Sequence, residues 1–98
     1  MSDRELLELA AKAAGYEYAK HGGYIVVFGI PGNWNPLIDD GDALRLAVKL
    51  EIGLWFGCGG LSAHGLAMDI EEDYGRDTYA ATRRAIVRAA AEIGRSKP

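Results

Sequence analysis

Three stretches with helical periodicity, near residues 3–14, 40–52 and 77–94, are separated by two β-forming stretches, and this alternation leaves few architectures open. In the first, Leu6, Leu9, Ala10 and Ala13 fall on one face, with Leu7 and Ala14 beside them and Arg4, Glu8 and Lys12 pointing away. Ser2 with Glu5 has capping-box spacing, which satisfies two backbone donors that a helix start leaves unpaired. Gly15 is a natural left-handed stop. The third stretch begins at Asp77, a good N-cap, and ends at Gly94. At about 100° per residue, Tyr79, Thr82, Ile86, Ala89, Ala90 and Ile93 form its core face.

The intervening stretches have strand chemistry. "YEYAKHGGYIVVFGI" places a glycine turn between Tyr-rich and β-branched runs, which predicts a hairpin over 16–30. Its apolar second run fits a strand covered on both faces or lying at a sheet centre. "GLWFGCGG" reads as a short strand broken by glycines. "HGLAMDIEE" reads as another, with Leu66, Met68 and Ile70 alternating against Ala67, Asp69 and Glu71. The expected fold is α+β in the order α-β-β-α-β-β-α, a small, mainly antiparallel sheet with three packed helices. At 98 residues the chain has room for one core, so residues 1–98 make a single domain.

A lone cysteine, Cys58, excludes an intramolecular disulfide and fits a reducing compartment. "MSDRELLEL" lacks the basic and continuously apolar regions of a secretory signal, and no apolar run approaches membrane-spanning length. The expectation is a cytoplasmic protein without membrane association.

The helix at 40–52 is preceded by "NWNPLIDD". Asp39, Asp40 and Asp42 sit where a helix start presents free N–H groups, and Asp39 with Asp42 has capping-box spacing, so their first reading is structural. Ile38 could staple against Ala43. A calcium loop counted from Asp40 fails, because Leu44 and Arg45 occupy its fifth and sixth positions. Pro36 holds Asn35 extended. Trp34 either anchors this loop in the core or lines a pocket together with Asn35.

"WNPL", the acids after it, the "ALRLAVKL" helix and the closing "YAATRRAIVRAAAEIG" resemble the NinX-like family of small phage and prophage proteins. The similarity is best over residues 1–15, 33–50 and 77–94. The resemblance implies a phage accessory protein in the bacterial host cytoplasm, modifying host physiology or blunting a host defence. It brings no catalytic residue and no cofactor to carry over.

Charge is segregated along the chain. Six bases (Arg76, Arg83, Arg84, Arg88, Arg95, Lys97) against Asp77 and Glu92 give residues 76–98 a net +4, which leaves −7 on the rest of a chain whose total is −3. Arg84, Arg88 and Arg95 form a ridge opposite the core face of the third helix. The ridge reads as a solvated face, or as a site that, with Arg83, takes an acidic partner or small anionic ligand. Nucleic acid is disfavoured by net acidity and by the lack of a DNA-binding motif. Ala80, Val87 and Ala91 lie between ridge and core face, and small apolar residues there suggest a homodimer built on the outer face of this helix.

Catalytic patterns are weak. "GCGGLSAHG" departs from a dinucleotide fingerprint at Ser62 and leads into a strand, so a glycine-rich connection is the better reading. Cys58 near His64 has no visible third residue to orient it, and with His21 they fall short of a zinc pattern. The sequence therefore points to a binding module in preference to an enzyme. The alternative is a small metal-dependent hydrolase or nuclease using the acids at 39–42 or those at 69–73.

Overall fold

The computed structural model describes residues 2–65 and 68–97, with the backbone alone at Met68. Its elements are α1 (Asp3–Ala14), β1 (Tyr18–His21), β2 (Tyr24–Val27), α2 (Asp40–Lys49), β3 (Gly53–Phe56), β4 (Gly60–Gly65), β5 (Met68–Asp73) and α3 (Thr78–Ser96). The class is α+β, with helices and antiparallel β segments alternating as expected. The strands form two sheets, a β1-β2 hairpin and a β3-β4-β5 meander. The second β segment thus holds one strand more than its sequence suggests, because Gly60–Gly65 pairs on both sides despite its glycines. Leu66, Ala67 and the Met68 side chain lie outside the described residues. In the rest of that alternation Ile70 is half-buried, and Asp69 and Glu71 are exposed.

Local chemistry sets the helix ends. Ser2 and Glu5 form the capping box at α1, with the Glu5 N–H donating to Ser2 Oγ at 3.2 Å. That hydroxyl and the Ser2 N–H, both bonding the carboxylate, hold Glu5 below the usual glutamate range. α1 closes with Gly15 at φ 73°, its N–H on Lys12 and the Tyr16 N–H on Ala11, so two otherwise orphan carbonyls are satisfied. α2 closes with the same bonding: Glu51 N–H to Val48 and Ile52 N–H to Ala47. Here the left-handed position is taken by Glu51, at φ 55°, a conformation costly for a side chain with a Cβ.

The hairpin is narrower than 16–30. The chain turns away at Phe28 and Gly29, the latter at φ 94°, and β2 buries Ile25 and Val27 while leaving Tyr24 exposed. β2 is therefore covered on one face only and does not sit at a sheet centre.

α3 is the centre of the molecule. It packs on α1, α2, β4 and β5, and buries Ala81, Ala85, Ile86, Val87, Ala89, Ala90, Ala91 and Gly94. These positions leave almost no side of the helix free. Small residues make this possible, since an alanine-rich helix accepts neighbours at close range all round. Gly94 does not end the helix. It lies inside it, so close to α1 that a Cβ there would run into the Leu9 carbonyl oxygen. Arg84 pairs with Asp3 at one end of the contact, and at the other Lys97 Nζ donates to Ala13 and Lys12 Nζ to Lys97. Both helices advance in the same direction between these anchors, so α1 and α3 lie side by side in parallel.

Candidate functional site

The loop entering α2 is bound back onto the hairpin and onto its own helix. The Trp34 N–H donates to the Ile25 carbonyl at 2.7 Å, extending β2's pairing by one bond. The Trp34 ring is 1% exposed and meets Tyr16 edge to face, with centroids 5.8 Å apart. Asn35 Oδ1 accepts from the Leu37 N–H at 3.0 Å, a local turn that places Pro36 in the core. The Asn35 carbonyl accepts from Ile38 and Asp39, which aims the chain into the helix.

The three acids at the helix start have distinct tasks. Asp39 is the N-cap, accepting from the Asp42 N–H at 2.8 Å. Asp40 faces α3 and pairs with Arg83. Asp42 is buried, and its carboxylate accepts from the Asn35 N–H at 3.0 Å and from Arg45 at 2.6 Å. It therefore locks loop to helix, in place of the reciprocal bond to Asp39 that a capping box would make. Ile38 is 74% exposed and makes no staple.

These residues enclose a cleft of about 420 Å³ between the hairpin and α2, lined by Tyr24, Ile25, Asn33, Trp34, Asn35, Ile38, Asp39, Asp42 and Arg45, among others. Trp34 is at once buried in the core and part of this wall, so the two readings of it are compatible. Its indole Nε1–H is buried without a hydrogen-bond partner among the described residues. A buried donor without an acceptor costs about 1–3 kcal/mol, and a bound acceptor removes that cost. Arg45 supplies positive charge at the same wall. It is half-exposed, held by Asp42 and only loosely by Asp39 at 4.0 Å.

Arg83 and two arginines of the ridge, Arg84 and Arg88, are tied into the fold and do not make a free basic surface. Arg83 bonds Asp40 at 2.6 Å and the Leu37 carbonyl at 2.9 Å; Arg84 pairs with Asp3 at 3.3 Å; Arg88 holds Glu72 at 2.5 Å and the Glu71 carbonyl at 3.0 Å. Each guanidinium ties α3 to a different element. The segregation of charge along the chain is thus matched within one molecule.

The outer-face interface on α3 is corrected. Val87 is 0% exposed and Ala91 1%, both inside the core, while Ala80 is half-buried. The expected core residue Tyr79 is instead 71% exposed. The helical wheel shows one apolar arc, but with partners on several sides the buried arc spreads past it.

A second constellation lies on the outer face of the meander. Ser62 Oγ is 3.1 Å from His64 Nε2, and His64 Nδ1 is 2.6 Å from Asp69 Oδ1. Alternation along β4 and the register with β5 bring these three to one face, and no sequence spacing revealed it. This is the order of nucleophile, base and orienting acid. Yet Glu71 stands directly across from Ser62 on that face, and would repel an oxyanion. The Ser62 N–H is turned into the ladder toward Trp55, so the serine's own amide is not free to hold an oxyanion. The geometry is that of a surface hydrogen-bond network. Cys58 is exposed and takes no part in it. Among the described residues no group of three or more His, Cys, Asp or Glu side chains gathers as a metal site. Among them, too, no helix is long and apolar enough to cross a membrane.

Comparison with protein-family models, curated proteins and solved structures finds no match.

Proposed function

We propose that the protein is a binding module whose Trp34 cleft captures a small ligand carrying an anionic or carbonyl acceptor, in the accessory, host-directed role implied by its resemblance to NinX-like phage proteins. The observation that carries this reading is a cleft lined by Trp34, whose buried indole N–H has no partner among the described residues. Arg45 adds the charge. Its contact with Asp39 is long and exposed on both sides, so an incoming carboxylate or phosphate can displace that carboxylate while Asp42 keeps the guanidinium oriented. Trp34 and Asn35, of the Trp-Asn-Pro element on which the resemblance chiefly rests, form part of this wall, which supports a site in preference to a plain loop anchor. In this role the protein works in the host cytoplasm and needs no cofactor.

The test is a thermal-shift panel of small carboxylates, phosphates and amides, run on the wild type and on Trp34→Phe. Phe keeps an aromatic ring in the core and removes the N–H together with the indole's second ring, so each protein's shift is read against its own ligand-free Tm. A ligand at 100 times its Kd stabilises by about 2.7 kcal/mol, or roughly 10–20 °C in Tm for a domain of this size. Trp34→Phe should weaken that ligand about tenfold, the effect of one hydrogen bond in a dry site. Equal binding by both proteins refutes the cleft assignment. A silent panel, with specific capture of one host protein, would move the reading to a protein partner.

A further inference from the structure

The meander β3-β4-β5 has two outer edges. At β5 the edge is covered: Arg88 of α3 bonds the Glu71 carbonyl, and α3 packs along the strand. At β3 it is open. Among the described residues β4 is the one element on which β3 packs in any depth. The strand, Gly53-Leu54-Trp55-Phe56, has no charge, proline or bulge of the kind that usually protects an edge. Trp55 is 72% and Phe56 57% exposed, and as neighbours in a strand they project from opposite faces.

The hydrogen bonds fix which backbone groups are free. The Gly57 N–H donates to Gly60 at 2.9 Å, so residues 53, 55 and 57 direct their N–H and C=O groups toward β4. Leu54 and Phe56 direct theirs outward, and among the described residues these four groups have no partner. We infer that β3 pairs antiparallel with β3 of a second copy about a two-fold axis through Trp55, joining the two meanders into one six-stranded sheet.

Register singles out this arrangement. Centred on Trp55, Leu54 of one copy opposes Phe56 of the other, and all four free groups on each copy are satisfied within the strand. Centring on Leu54 would call on Ile52, whose N–H already bonds Ala47 at 2.9 Å. A slip of one residue between the copies would turn the core face of one meander toward the outer face of the other. In the Trp55 register the two Trp55 rings meet on the outer face and Phe56 meets Leu54 on the α3 side. No like charges are set opposite each other. The exposed parts of the two aromatics bring roughly 500 Å² of apolar surface over both copies, before backbone and flanking residues are counted. Stable interfaces begin near 1,200 Å², so the dimer is of the weak, concentration-dependent kind.

The experiment is disulfide trapping in the 98-residue chain with Cys58→Ser. A non-hydrogen-bonded antiparallel pair has Cα atoms about 4.5 Å apart, within disulfide reach. Trp55→Cys should therefore give a covalent dimer on oxidation at ~200 μM. Phe56→Cys, whose copy lies across the diagonal at about 8 Å, should not. Wild-type protein in sedimentation velocity should rise from monomer toward dimer between ~20 μM and ~1 mM. Trp55→Arg should stay monomeric across that range with its Tm unchanged. A wild-type monomer throughout overturns the inference. So does a dimer that Trp55→Cys fails to trap, or one that Trp55→Arg leaves intact.

Discussion

Replacing Gly94 by alanine is the sharpest test of how α1 and α3 meet. In a solvated helix the change would stabilise, since glycine is worse than alanine by about 1 kcal/mol in a helix interior. At Gly94 the new Cβ would sit 2.8 Å from the Leu9 carbonyl carbon and 3.3 Å from the Ala13 nitrogen, and would overlap the Leu9 carbonyl oxygen. All are backbone atoms, so no rotamer change relieves the contact. Carbon atoms rest about 3.5–4.0 Å apart, so the helices must separate locally by about 1 Å, and a gap of that size forfeits a quarter to a half of each neighbouring dispersion contact. Overpacking of this kind costs about 1–3 kcal/mol or more. Added to lost contacts among the flanking alanines and set against the propensity gain, the expected net loss is about 2–3 kcal/mol. For a domain of this size that is a fall in Tm of roughly 10–20 °C. Gly41→Ala in α2 is the control, because its Cβ would meet only the movable ends of Asp39 and Arg45 at 3.2 Å or more. It should be neutral or stabilise by up to about 1 kcal/mol. Urea unfolding of both variants decides the matter. A Gly94→Ala protein as stable as the wild type would show that the helices do not approach at backbone distance.

Glu51→Gly should stabilise by about 1 kcal/mol, because glycine occupies the left-handed position closing α2 without a Cβ penalty; an unchanged urea midpoint would contradict that geometry. Val87→Glu should unfold the protein, at a cost of roughly 3–5 kcal/mol or more for an unpaired charge in the core; a folded variant by circular dichroism would return Val87 to the surface. Burial pushes the Tyr16 phenol above the usual tyrosine value of 10.0. Its neutral form is therefore favoured by folding, so this contribution to stability is whole below about pH 10 and is lost as pH rises through the folded value. Absorbance at 295 nm should show a late-titrating tyrosine that Tyr16→Phe removes, and a single common titration would refute the burial.

What was legible in the sequence is what local chemistry decides. Ser2 with Glu5, Gly15, Asp39 and Asp77 place the helix ends by bonds that span a few residues, and each is found where its spacing puts it. Contacts distant in the chain were not legible. That Arg83, Arg84 and Arg88 would find Asp40, Asp3 and Glu72 depends on how three elements pack around α3, and a helical wheel holds none of that. The same packing draws Val87 inward. β4 escaped notice because its glycines also read as turns, and only its two neighbours make it a strand. At the cleft, Trp34 and Asn35 stood out for their residue types. Asp42, which locks them in place, looked like one more capping acid until its burial was known.

The parallel seat of α1 on α3 also has a cost in time. α1 finds its partner only after roughly eighty further residues have been made, and a ribosome adding about 5–20 residues per second needs roughly 4–16 s to supply them. For that interval α1, α2 and the meander lack the helix on which they pack. Packing of the core is thereby deferred until α3 has been made. A chain interrupted before Thr78 would be a target for chaperones and proteases, and not a smaller version of this protein.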